Sequence, residues 1–324
     1  MAKNGKSGYY IGIDLGGTNM QVGVVSSDLK LLSQAKKKTK AEDGIDGVMS
    51  RIVEGVVEAC SEAKVKLTDL EAIGLAAPGA VDPVEGVVLA ADNLRWTDTP
   101  AAQILQKRTG VKTYLDNDVN AAVWGENKLG AGKNSKNLLG VWLGTGIGGG
   151  LIFNGELYYG PFFTAGEIGH MISLPFNPPG ERSLEHNCSR TAVVNRLVKL
   201  IKGNRKSKLV DLAEGDLDKI KSKLVARAYE DKDELTVEVL DSAAELLGVT
   251  LAGVTTLLSL DRIVLGGGLT EAMGNPWVNL VEQHTRRLTF PERCKQVKVV
   301  ASTLEDRAGL MGAAMIAMQR HEEK

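Results

Sequence analysis

Four short polar side chains able to hold a proton or a hydrogen bond, Asp116, Asn117, Asp118 and Asn120, crowd into the stretch VKTYLDNDVNAAVWGENKL that begins at Val111. An apolar strand is expected to end at Leu115, and the residues from Val119 to Leu129 have helical composition. Asn117 or Asp118 then falls where the carboxyl end of a strand meets a helix N-terminus, the usual place for a ligand in an α/β protein. Asp and Asn are also the preferred helix N-caps, and one of them alone would be explained that way. Four exceed what a single cap needs, so a carboxylate here is a candidate general base.

The second kind of chemistry lies in glycine turns. In LLGVWLGTGIGGGLIFNG the apolar run Leu139–Leu143 reads as a buried strand, the glycines 144, 146, 148, 149 and 150 as a turn, and Leu151-Ile152-Phe153 as the returning strand. Glycine lets a backbone turn its N–H groups toward an anion, and Thr145 adds a hydroxyl. A tight β-turn without a ligand is the alternative. The stretch YIGIDLGGTNMQVGVV, beginning at Tyr10, has the same build 128 residues earlier, with Gly16 over Gly144, Ile13 over Val141 and Val24 over Ile152. A repeat of that length predicts two related domains rather than a solenoid, with two loops that could hold one polyphosphate between them. RIVLGGGL, from Arg262, is a third strand-to-glycine turn. Three such turns, with a carboxylate between the first two, suggest phosphoryl transfer: backbone N–H groups and Mg²⁺ hold a nucleotide while Asp118 accepts the acceptor's proton.

The elements that must position these groups follow from periodicity. Val48, Ile52, Val56 and Cys60 recur every four residues along Gly44–Ala63, one face of an amphipathic helix. Leu31–Ala35 and Leu70–Ala77 read as strands, followed by a turn-rich segment to Arg95. Glu167 and His170 sit between glycines in FTAGEIGHM, where a histidine on its own is usually structural. The charged stretch Lys202–Glu234 reads as solvated helices, Val237–Leu258 as a long helix, Val297–Val300 as a last strand and Ala308–Gln319 as a terminal helix. The expected domains are residues 1–115, with a helix at about 307–320 packing back on them, and 116–306.

The chain of 324 residues, 43% hydrophobic and 24% charged, suits two globular domains. A formal charge of −1 gives no general attraction to nucleic acid or anionic membrane, and the basic run Lys36–Lys40 reads as a solvated strand end. Three widely spaced cysteines fit a reducing compartment. With no apolar stretch at the N-terminus and none of about 18 residues elsewhere, the expected location is cytoplasmic. Ser-His-Asp order, HExxH, paired CxxC and a lysine-bearing P-loop are all missing from the sequence.

Together IDLGGTNMQVGVV, AAPGAVD, the DNDVNAAVWGE block, LGTGIGGGLIFNGELYYG, AGEIGHM, IVLGGGL and DRAGLMGAAM occur in the order and spacing of the ROK sugar kinases and repressors, which the chain resembles over nearly its whole length. The resemblance implies a two-lobed actin-like ATPase (ribonuclease H-like) fold of two related α/β domains with the active site in the cleft. It implies an ATP-dependent sugar kinase, bacterial-glucokinase-like, making glucose 6-phosphate, with Asp118 as catalytic base, ATP and Mg²⁺ as cofactors, and a homodimer. Asp14, Gly16, Gly17, Thr18 and Asn19 correspond to the first phosphate loop, with Asp14 reaching Mg²⁺ through water. Gly144, Thr145, Gly146 and Gly148 correspond to the second, and Gly266, Gly267 and Gly268 to the adenosine-side turn. Gly79, Asn93, Asn117, Asp118, Glu167, His170 and Glu185 match positions that bind the sugar.

The departure from the family lies between His170 and Glu185. Relatives bind a structural zinc there through a histidine and a CxCGxxGC run. This chain has Asn177-Pro178-Pro179-Gly180-Glu181-Arg182, with Cys188 only after Glu185, so no structural zinc site is expected. The alternatives are a non-catalytic sugar-responsive regulator, a chaperone- or actin-like ATPase, and a kinase for another hexose or an N-acetylhexosamine such as N-acetylmannosamine. The short stretch ahead of the first strand, with no winged helix-turn-helix, argues against the regulator, as does the retained Asp118.

Overall fold

The computed structural model describes residues 8–323; the N-terminal stretch on which the absence of an apolar leader was read lies almost wholly outside them. In chain order the first elements are β1 (Tyr9–Leu15), β2 (Asn19–Ser26), β3 (Leu31–Lys38), α1 (Gly44–Ala63), β4 (Leu70–Ala77), β5 (Ala80–Asp82) and β6 (Val87–Ala91). They continue with β7 (Trp96–Thr99), α2 (Ala101–Thr109), β8 (Thr113–Asn117) and α3 (Asp118–Leu129). The second set is β9 (Leu138–Leu143), β10 (Ile147–Phe153), β11 (Glu156–Tyr158), α4 (Leu184–Cys188), α5 (Arg190–Lys202), α6 (Leu209–Leu212) and α7 (Ser222–Glu230). It closes with α8 (Glu234–Leu258), β12 (Arg262–Gly266), α9 (Gly268–Met273), α10 (Asn275–Leu288), β13 (Lys298–Ala301) and α11 (Ala308–Glu322).

The chain divides into two compact α/β units: one of residues up to Leu129 with Tyr159–Ala165 and Asp306 onward, the other of Gly130–Tyr158 with Gly166–Glu305. Each holds a five-stranded sheet of the same design. The orders are β3-β2-β1-β4-β8 and β11-β10-β9-β12-β13, an antiparallel meander extended by two parallel strands. The repeat read from the glycine turns is therefore a repeat of whole sheets. The first unit runs past the boundary expected at residue 115, because α3 is packed against α11. Gly312 fits against the carbonyl of Ala121, and Gly125 against that of Ala308.

In the first unit Ile11, Ile13 and Leu15 face a core shared with Val48, Ile52 and Val56 of α1, while Tyr10, Val25, Ala72 and Tyr114 face α11. The alternation is that of a sheet covered on both sides. On the α11 side, Gly23, Gly12 and Gly74 lie opposite one another in β2, β1 and β4. A Cβ at Gly12 or Gly74 would run into the backbone carbonyls of Leu310 and Ala313. This row of glycines is a trough that lets α11 sit directly on the strands.

Some readings change. The central glycine run is only partly a turn: β10 begins at Ile147, so Gly148, Gly149 and Gly150 are strand residues paired with Trp142, Val141 and Gly140. The segment after Ala77 is not only turns, since β5, β6 and β7 form a small antiparallel sheet whose strands are too short to announce themselves by alternation. In the stretch read as solvated, Leu209, Ile220 and Val225 are buried in the second unit's core. Among the described residues no helix is long and apolar enough to cross a membrane.

Candidate active site

In the first unit the parallel strands β1, β4 and β8 end on one edge, with Asp14 level with Ala76 and Ala76 level with Asp116. The predicted residues of this unit gather there. Asn117 is the last residue of β8, and its Oδ1 accepts the amides of Val119 (2.8 Å) and Asn120 (3.0 Å). Capping of α3 thus falls to Asn117. Asp118, the first residue of the helix, keeps a partly exposed carboxylate whose Oδ1 accepts the Val119 amide at 2.8 Å.

The Asn117 amide nitrogen donates to the carbonyl of Gly79 at 3.0 Å. Gly79 has φ +87°, and a Cβ there would collide with the carbonyl of Ala90, so both conformation and space require glycine. Gly17 packs on Asn93, where a Cβ would come within 2.9 Å of the Asn93 Cβ. The first glycine turn is closed by Gly16 N–H donating to Asn19 O (3.0 Å) and by Thr39 Oγ1 donating to Gly16 O (2.6 Å). Thr18 and Asn19 lie exposed at its tip.

Asp14, the penultimate residue of β1, has its carboxylate against Gly309, at the start of α11. Burial, then the nearby charges of Asp118 and Asp306, push its pKa from the ordinary 3.8 up to about 7. Over that interval the folded state holds a proton that the unfolded chain has released. This contribution to stability is complete below the ordinary value and is lost as pH rises through about 7. Without divalent cation, the wild-type Tm is expected to fall relative to that of Asp14→Asn between about pH 5 and about pH 8. A Tm difference that stays constant across this range would remove the charge-burial account.

In the second unit β9 and β12 end side by side, Trp142 level with Gly266. Gly144 N–H donates to Gly146 O at 2.9 Å, closing the β9–β10 turn, and a Cβ at Gly144 would meet nothing nearer than 4.0 Å. Gly267, at φ +83°, lies against the backbone of Leu143, which puts the two glycine turns next to each other. Arg190, at the start of α5, joins them: its guanidinium donates to Thr145 Oγ1 at 3.3 Å and lies beside Gly268. Nothing local in the sequence marks Arg190.

Glu185 of α4 accepts the Ile147 amide at 2.8 Å, with Gly146 leaving room for its carboxylate. His170 Nε2 lies 3.9 Å from Glu167 Oε2 at a short 3-10 turn, with the His170 side chain well exposed and that of Glu167 half-buried. Partial burial lifts the Glu167 carboxyl above its ordinary value, His170 opposes this, and the charge of Glu185 adds to it. These three predicted sugar ligands are thus electrical neighbours.

The loop that departs from the family is held by hydrogen bonds. Arg182 Nε donates to Asn177 O (2.5 Å), and Asn187 Nδ2 to Glu181 O (2.9 Å) and Ser183 O (2.8 Å). Ser173 and Leu174 amides both donate to Arg182 O, and Ile172 pairs with Ser183. His186 Nδ1 is bonded to Ser183 Oγ at 2.7 Å, and burial pushes the Cys188 thiol up to about 12. Among the described residues no group of three or more His, Cys, Asp and Glu is arranged to hold a metal ion.

The model of the ROK family matches residues 10–320. A glucokinase from Thermotoga maritima is 33% identical over 315 residues, covering 96% of this chain and 97% of its own, and one from Halalkalibacterium halodurans is 30% identical over 322, covering 96% of each. The crystal structure of a ROK family glucokinase from Streptomyces griseus, in complex with glucose and AMPPNP, superposes with a TM-score of 0.85 at 30% identity, covering 96% of this chain and all of that one. The repeated sheets, the glycine turns at their strand ends and this end-to-end similarity lead to one conclusion: the chain belongs to the ROK family.

Proposed function

We propose that this protein is an ATP-dependent hexose kinase that phosphorylates glucose at its 6-hydroxyl. The observation that carries the reading is the division of labour at the end of β8. Asn117 caps the helix and ties down Gly79, and the partly exposed Asp118 carboxylate stands on the ligand edge of the sheet. Asp118 accepts the hydroxyl proton as the sugar oxygen takes the phosphoryl group. The proposed sugar ligands are Gly79, Asn93, Asn117, Glu167, His170 and Glu185, and the similarity to glucokinases favours glucose.

The residues present fit a nucleotide and its magnesium. Space is open at Gly144, Thr145 offers a hydroxyl, and Arg190 a positive charge. The buried Asp14 carboxylate feels the negative charges of Asp118 and Asp306, and Mg²⁺ typically takes one or two carboxylates together with water and phosphate oxygens. The ion neutralises phosphate charge when bound, and Asp14 would hold it.

An ADP-release assay across a panel of hexoses and N-acetylhexosamines tests the reading. The highest kcat/KM is expected with glucose, and no sugar-dependent ADP release with any member would exclude a kinase. We further propose that no structural zinc is needed. EDTA is expected to stop activity, Mg²⁺ alone to restore it, and Tm to stay unchanged, because hydrogen bonds hold the 171–187 loop. Recovery that required zinc would overturn that account.

A further inference from the structure

Asp116 is 2% exposed, one residue from Asn117 and two from Asp118, and it carries more hydrogen bonds than a structural strand residue needs. Its Oδ2 accepts the hydroxyl of Tyr159 at 2.7 Å and the guanidinium of Arg320 at 2.6 Å. Its Oδ1 accepts the Asn117 amide at 2.8 Å and the Asn120 side chain at 3.4 Å. Arg320, near the end of α11, also donates to the carbonyl of Leu115 (2.8 Å) and to Tyr159 Oη (2.8 Å). One guanidinium thus holds both the backbone and the side chain of the strand end that precedes Asp118.

A buried ion pair of this kind is a poor device for stability, since desolvation offsets most of its attraction and apolar residues of the same volume often serve as well. Its distinctive property is a fixed geometry. Here that geometry is passed along a short path: Arg320 and Tyr159 hold Asp116, Asp116 holds the Asn117 amide, and the Asn117 side chain caps the first turn, on which Asp118 is the leading residue. We propose that Asp116, Arg320 and Tyr159 are positioning residues that orient Asn117 and Asp118 for proton transfer from the sugar hydroxyl. The proposal rests on the reading of Asp118 as the base. It makes α11, about 200 residues distant in sequence, part of the catalytic apparatus.

The test is a double-mutant cycle of Tyr159→Phe with Asp118→Asn, with Arg320→Lys as a second, charge-conserving probe. Tyr159→Phe keeps the ring and the Asp116–Arg320 pair but removes two hydrogen bonds, the one donated to Asp116 and the one accepted from Arg320. It is expected to lower kcat about tenfold, since small misplacements of reacting groups have effects of this size or larger. KM for ATP is expected to stay within about twofold and Tm within about 5 °C, as for the loss of two modest hydrogen bonds. In the Asp118→Asn background the same change is expected to alter kcat by less than about twofold, because residues that act through one group are not additive. Wild-type kcat in both Tyr159→Phe and Arg320→Lys would overturn the proposal. So would an undiminished loss in the Asp118→Asn background, or a loss of kcat that tracks loss of Tm. Near-wild-type activity of Asp118→Asn alone is a distinct result: it would remove the base itself and with it this positioning role.

Discussion

Asp118→Asn is expected to lower kcat for sugar phosphorylation by about 10²- to 10⁴-fold, the usual contribution of a positioned general base. The amide keeps the shape of the carboxylate and can still accept the Val119 amide through its oxygen, so α3 starts as before. It cannot take the proton of the attacking hydroxyl. Nucleotide affinity is expected to change little, since the glycine turns and Asp14 are untouched. Steady-state kinetics with glucose, beside calorimetric titration of an ATP analogue, separates the two quantities. A variant retaining more than about a tenth of wild-type kcat could not have lost a base of this magnitude, and proton transfer would have to be assigned elsewhere.

The largest effect on stability is expected from a single methyl group. Gly312→Ala places a Cβ into the carbonyl of Ala121, where α11 and α3 meet backbone to backbone. Neither helix has a flexible side chain at that point to yield, so the two helices must move apart, while α11 is also held on the glycine trough. Overpacking of this kind costs about 1–3 kcal/mol, occasionally more, and a rigid backbone clash belongs at the top of that range. Gly253→Ala in α8 is the matched control. Nothing lies within 4 Å of a Cβ there, and replacing a mid-helix glycine by alanine is expected to stabilise by about 0.5–1 kcal/mol. Thermal and urea unfolding of the two variants should therefore move in opposite directions. Equal and small shifts would show that α11 and α3 can move apart without cost.

Much of this molecule could be read before any coordinates. The glycine turns and the strands before them are local patterns, so β1, β2, β9 and the repeat relating the two sheets followed from residues that are neighbours in sequence. The same holds for α1, whose apolar face is spaced every fourth residue, and for the strand-to-helix junction at Asn117 and Asp118. What escaped was whatever depends on register or on distance along the chain. Gly23, Gly12 and Gly74 look like unrelated glycines until strand pairing sets them in one row under α11. Asn117 or Asp118 could each have been the cap, and it is the hydrogen bond from the Asn120 amide that assigned it to Asn117. Arg190 beside Thr145, and Arg320 and Tyr159 on Asp116, come from segments tens to hundreds of residues apart, with no shared pattern to connect them. Local sequence encodes which backbone groups can turn and which faces are apolar. Which side chains meet is decided by the packing of those faces, a property that no single stretch of the chain contains.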